Sequence, residues 1–187
     1  MKPRIAILAL ASALLSTAAY AQSMGEKTGV NSTLGIAPKT EDFIKEAAMS
    51  DMLEIDAAKI AQQKGNPHEK SFAGEMITDH TKTSSELKGL VSGEMKSAIP
   101  SSLDDSLQKK LDKLRDTKPE DFASEYDPMQ VSAHKDAVSL FERYSKSGDN
   151  PKLKDWAGKT LPTLKHHLEM AQDLDKKSNT STMGTAR

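Results

Sequence analysis

Four polar side chains stand on otherwise apolar helical stretches of this chain: Glu54, His80, His134 and His167. Glu54 is set among Ala47, Ala57, Ala58 and Ala61. His80 follows Met76 and Ile77 and precedes Leu87. His134 lies between Val131 and Ala137, and His167 between Leu164 and Ala171. Residues three and four apart share a helix face, so each of the four points where its apolar neighbours point. Imidazole and carboxylate groups are ligands for zinc, copper and iron, so the four together would hold a single transition-metal ion. Asp79, Asp136 and Glu169 flank the histidines and are candidates for orienting the rings. Met76 and Met170 share faces with His80 and His167, and thioether beside imidazole suits copper. A di-iron centre in a helical bundle asks for an acidic residue three before His in two helices. Ile77 and Leu164 occupy those places before His80 and His167, so that motif is missing. The plainer reading of the same four residues is a polar core layer that fixes helix register by hydrogen bonding and binds nothing. The sequence by itself weighs toward it. His68 falls in the first turn of its helix and His166 on a solvent face, so neither joins the set.

The elements that must position these residues repeat a design. Apolar residues recur at helical spacing over 41–64, 67–92, 119–147 and 151–176, which predicts four long helices. Thr40 reads as the N-cap of the first. Gly65 stops that helix, and Asn66-Pro67 starts the next at once, Asn as cap and Pro in the first turn. Gly148 and Asn150-Pro151 do the same between the third and fourth. Each pair must fold back as an antiparallel hairpin. Phe72-Ala73-Gly74 follows the first Asn-Pro at the same offset as Trp156-Ala157-Gly158 follows the second, a weak internal repeat. Pro162 falls inside the fourth helix, where it removes a backbone donor and predicts a kink. Residues 93–118, with a short helix near 103–116, are long enough to cross the length of a bundle. The expectation is an all-α, ferritin-like four-helix bundle over 40–177, two αα-hairpins joined by a long crossover. An up-and-down bundle with a capping helix is the alternative. Glu54 and His80 stand at similar distances from the first turn, and His134 and His167 from the second, so all four reach mid-bundle.

The chain's ends differ from its middle. Residues 1–21 have a positive start (Lys2, Arg4), a short apolar run from Ile5 to Leu15 and a closing Ala19-Tyr20-Ala21. This is the pattern of a cleaved signal peptide, with the mature chain beginning at Gln22. It predicts export, and in a two-membrane bacterium the periplasm. Residues 22–39 read as a flexible leader and 178–187 as a disordered polar tail. No later segment is apolar enough for a transmembrane helix.

Composition narrows function mainly by exclusion. Loss of Lys2 and Arg4 takes the formal net charge from −1 to −3, which leaves no electrostatic footprint for nucleic acid. With Cys 0, there are no disulfides, thiolate metal sites, Cys nucleophiles or Cys-linked lipid anchors. No phosphate loop, nucleophile elbow or HExxH occurs, so nothing points to an enzyme.

Several short runs carry a family likeness: Glu41-Asp42-Phe43, Met52-Leu53-Glu54, and Met76 with Thr78-Asp79-His80. Gln130 with His134 and Ala137, Leu140-Phe141-Glu142, and Leu161-Pro162-Thr163-Leu164 with His167-Leu168 continue it. Over about 40–175 the chain resembles the exported bacterial family called domain of unknown function 4142, whose members are often labelled periplasmic or outer-membrane proteins. The resemblance implies a ferritin-like helical bundle and brings no established activity. An outer-membrane barrel is at odds with a chain that has no alternating strands. The expected role is a non-catalytic periplasmic binding or envelope-stress protein. The alternatives are a metal-binding protein using Glu54, His80, His134 and His167, or a structural protein with an envelope protein partner.

Overall fold

The computed structural model describes residues 30–184. The expected signal peptide and the first part of the leader lie outside the described residues. All elements in the described residues are helical: α1 (Val30–Leu34), α2 (Thr40–Lys64), α3 (Pro67–Leu90), α4 (Asp105–Asp116), α5 (Phe122–Ser147) and α6 (Pro151–Gly184), with 3-10 turns at Gly93–Ala98 and Pro119–Asp121. Among them no helix is long and apolar enough to cross a membrane.

The two hairpin turns form as the sequence dictates. Asn66 Oδ1 accepts from the backbone N–H groups of His68 and Glu69, and Glu69 returns a carboxylate to the Asn66 N–H at 2.5 Å. This satisfies donors that a helix start otherwise leaves orphaned. Asn150 Oδ1 likewise accepts from Lys152 and Leu153. A Cβ at Gly65 would stand 2.7 Å from the Ala61 carbonyl, and one at Gly148 would stand 2.6 Å from the Tyr144 carbonyl. The close return of the chain, rather than an unusual φ, is what demands glycine at both turns.

α2 pairs with α3 and α5 with α6, and across the hairpins α2 packs on α5 and α3 on α6. Two apolar clusters give the directions. One gathers Phe43 and Ala47 of α2, Leu87 of α3, Phe141 and Tyr144 of α5, and Leu153 and Trp156 of α6. The other gathers Ala57 and Ala61, Phe72 and Met76, Phe122 and Tyr126, and Ala171 and Leu174 from the same four helices. Helices α3 and α5 therefore run parallel, from the second cluster to the first, and α2 and α6 run the opposite way. The connection from α3 to α5 must travel the whole length. It does so with Met95, Ala98 and Ile99 against the first cluster and Leu111 and Leu114 of α4 buried in the second.

Some local expectations are corrected. Thr40 is the first helical residue rather than the N-cap, which is Lys39. The Thr40 hydroxyl is engaged elsewhere, with Tyr144 Oη at 2.5 Å and with Asp149. The third helix starts at Phe122, after a 3-10 turn, and contains Pro128 as well. The leader is not featureless. α1 ends at Gly35, whose φ of +67° suits glycine, and Arg143 Nη1 donates to the Ile36 carbonyl at 2.7 Å. The last helix runs past the expected end at 176 as far as Gly184. Beyond the expected end, Ser178 bonds Asp127 of α5.

Candidate metal centre

Between the two apolar clusters the same four helices turn polar side chains inward. Asp51 and Glu54 come from α2, His80 and Thr83 from α3, Gln130 and His134 from α5, and His167 from α6, and all are buried. The centroids of the His80 and His134 rings stand 5.8 Å apart, and each is 5.5 Å from that of His167. One nitrogen of each ring lies within 4.8 Å of the other two. Three nitrogens bound to one zinc ion at about 2.0–2.1 Å stand roughly 3.4 Å apart. Small ring movements bring all three into range.

The second nitrogen of each ring is held. His80 Nδ1 donates to Asp51 Oδ1 at 2.9 Å, and Thr83 Oγ1 donates to the same oxygen at 2.8 Å. His134 Nδ1 donates to the Gln130 carbonyl at 2.9 Å. His167 Nε2 donates to Asp79 Oδ2 at 3.0 Å. These bonds leave His80 Nε2, His134 Nε2 and His167 Nδ1 as the nitrogens with no hydrogen-bond partner in the protein. A histidine that donates one N–H to a carboxylate or carbonyl and offers the other nitrogen is oriented as metal-binding histidines are.

Of the three acids that flank the histidines in sequence, Asp79 holds one of them. Asp79 precedes His80 but serves His167 on another helix, while His80 is held by Asp51. Asp136 and Glu169 are exposed and hold no histidine. Asp51 was legible: with Ala47, Glu54, Ala58 and Ala61 it completes one helical face. Gln130, one turn before His134, acts through its backbone, which no side-chain pattern announces.

Glu54 sits in the layer with both carboxylate oxygens buried and unpartnered. Its Oε1 is 4.0 Å from His134 Nδ1, the nitrogen already given to Gln130. It is thus a carboxyl group beside the histidines and not a member of the three-nitrogen group. Met76 is wholly buried within the second apolar cluster. His166 is exposed, as expected.

Three imidazoles this close cannot all be cations. Burial, helped by His80 and His134, lowers His167 to about 4. Burial likewise pulls His134 down. Burial also opposes charge on His80, but the bond to Asp51 and the charges of Glu54, Asp51 and Asp79 outweigh it and leave His80 raised. Burial pushes Asp51 up as well. The layer therefore holds two neutral imidazoles beside one that competes with its carboxylate partner for a proton.

A family described as domain of unknown function (DUF4142) matches residues 25–174. The chain belongs to this family. The match takes in all four long helices up to Leu174, and with them Glu54 and the three inward histidines. DUF4142 membership attaches no activity to the layer, whose meaning rests on its geometry. No curated protein matches, and no solved structure does.

Proposed function

We propose that this DUF4142 member is an exported, non-catalytic protein that binds one transition-metal ion at mid-height of a ferritin-like, crossover four-helix bundle. The bundle assignment is supported by the parallel course of α3 and α5 and by the full-length connection between them. Export to the periplasm is supported by the charged, apolar and small-residue order of residues 1–21.

The observation that carries the metal reading is a set of three buried imidazoles, each with one nitrogen within 4.8 Å of a nitrogen of the other two, and each with one nitrogen hydrogen-bonded and the other without a hydrogen-bond partner. A polar layer built only for register should pair its atoms internally, since a buried unpartnered polar group costs about 1–3 kcal/mol. Here each of the three clustered rings keeps one nitrogen without a hydrogen-bond partner, and a bound ion would satisfy them. His80, His134 and His167 would be the ligands. Glu54 would supply compensating negative charge and is near enough to adjust toward the ion. Three nitrogens with a nearby carboxylate suit a zinc-class divalent cation better than the carboxylate-rich environment of di-iron proteins.

Titration of the purified protein with Zn²⁺ should give one equivalent bound by calorimetry. At a free concentration a hundredfold above Kd, stabilisation of about 2.7 kcal/mol should raise the thermal midpoint by about 5–10 °C. His80→Ala should abolish both signals. No heat and no rise with zinc, copper or iron would leave a layer that only sets register.

A further inference from the structure

The three histidine nitrogens are sealed from solvent along the helix axes, because an apolar cluster closes the layer at each end. The flank formed by α2 and α5 offers little better. Its groove of about 330 Å³ has Met49, Leu53 and Leu140 beside Glu46, Lys110 and Asp136 in its lining, and it reaches none of the histidines or their hydrogen-bond partners. The flank formed by α3 and α6 differs. A groove of about 460 Å³ runs there, and two of its lining residues, Asp79 and Thr83, touch the layer directly. Asp79 is bonded to His167, and Thr83 to Asp51.

The outer edge of His167 carries a second ligand set. Glu75, Asp79 and His167 each offer an atom within 4.8 Å of the other two. Glu75 and Asp79 are one turn apart on α3, with side chains 41% and 30% exposed. His166 Nε2 adds an imidazole 3.9 Å from Glu75 Oε1. His167 thus belongs to both groups. Its Nδ1 is the buried, unpartnered nitrogen, and its Nε2 faces the carboxylates.

Resting on the metal reading above, we propose that Glu75, Asp79 and the outer nitrogen of His167 form a loading position through which a divalent transition-metal ion passes to the buried histidines. Glu75 and Asp79 present two partly exposed carboxylates to an arriving ion, whose attraction must outweigh Lys82 and Lys159, which line the same groove as Asp79. While the ion is outside, the single proton of neutral His167 sits on Nδ1, and Nε2 is the ligand. When the ion is inside, the proton sits on Nε2 and is donated to Asp79, and Nδ1 is the ligand. The ring gains and loses no proton overall; one leaves to solvent as one returns. Asp79 serves both states, first as a ligand and then as the acceptor that keeps Nδ1 turned inward.

Glu75 is the residue to test, because it touches the outer position and none of the inner nitrogens. Stopped-flow mixing of the purified protein with Co²⁺ alone, followed by the visible absorption of the bound ion, gives association and dissociation rates. Glu75→Gln should slow both at least tenfold and leave Kd within threefold of the parent, as removal of a waypoint requires. Glu120→Gln, which removes one remote surface charge, should change neither rate. Unchanged rates in Glu75→Gln with normal binding overturn the loading position and leave the buried site standing. Loss of affinity without a change in association rate makes Glu75 a ligand of the final site and overturns the route. A parent protein that takes up no Co²⁺ overturns the buried site and the route with it.

Discussion

The aromatic cluster at one end of the molecule and the histidine layer at its middle are built by the same four helices, yet they treat polar atoms in opposite ways. Around Phe43, Tyr144 stacks with ring centroids 3.8 Å apart, and Phe141 and Trp156 meet it edge-on at 5.1 and 6.0 Å. The polar tips of that cluster are all engaged. Tyr144 Oη meets Thr40, and Trp156 Nε1 donates to Glu86 Oε2 at 2.9 Å. In the layer, three imidazole nitrogens, both oxygens of Glu54 and the side-chain amide of Gln130 have no partner. The aromatic cluster thus pairs its indole and its phenol, whereas the second apolar cluster leaves the Tyr126 hydroxyl without a hydrogen-bond partner. The contrast is between a region whose polar tips are paired and one in which several are not.

Three substitutions probe that difference. The largest loss should come from Phe43→Ala, which removes the ring at the centre of the aromatic contacts. Chemical denaturation should report destabilisation of about 3–5 kcal/mol. A loss under about 1 kcal/mol would mean that this cluster does not carry the core. His134→Leu should act in the opposite sense on the metal-free protein. An unpartnered buried nitrogen is exchanged for hydrocarbon of similar bulk, so stability should hold or rise by about 1 kcal/mol while Zn²⁺ binding is lost. A strong destabilisation without metal would make the layer structural and erase the contrast.

The third test lies at the other apolar end, where Asp127 is wholly buried and hydrogen-bonded to Ser178. Burial, with the charges of Glu69 and Asp175, raises Asp127 from 3.8 to about 7, against the opposing pull of the Ser178 bond. The folded protein keeps a proton there that the unfolded chain releases near 4. This group's contribution therefore weakens as pH rises from about 4 and levels off above about 7. Asp127→Asn removes the titration. Its thermal midpoint relative to the parent should climb by up to about 10 °C between pH 4 and pH 8, read by calorimetry in metal-free buffer. A pH-independent difference would show that Asp127 is not protonated in the fold.

Much of this architecture is written in short-range sequence. Asn66-Pro67 and Asn150-Pro151 cap helices by hydrogen bonds that reach only two or three residues. The four long helices begin near their expected bounds, and the first three end near them, because periodicity and capping are local properties. The departures came where a distant partner intervened. Thr40 was drawn from capping to Tyr144, the leader was tied down by Arg143, and the polar end of α6 met Asp127. The site divides the same way. That Glu54, His80, His134 and His167 face inward follows from their apolar neighbours at helical spacing, and their shared height follows from counting turns. That only the histidines bring nitrogens together, with Glu54 to one side, depends on ring rotations no periodicity encodes.

By itself the sequence determined the helices, the two tight turns and which residues enter the interior, since each rests on contacts a few residues long. Tertiary structure alone decided the partnerships. Asp79 stands beside His80 in the chain yet holds His167, and Asp51, far away in sequence, holds His80. The physical reason is that a side chain on a helix bonds outward, to whichever neighbouring helix packs against its face. That neighbour is chosen by the burial of the two apolar clusters together, from all four helices at once.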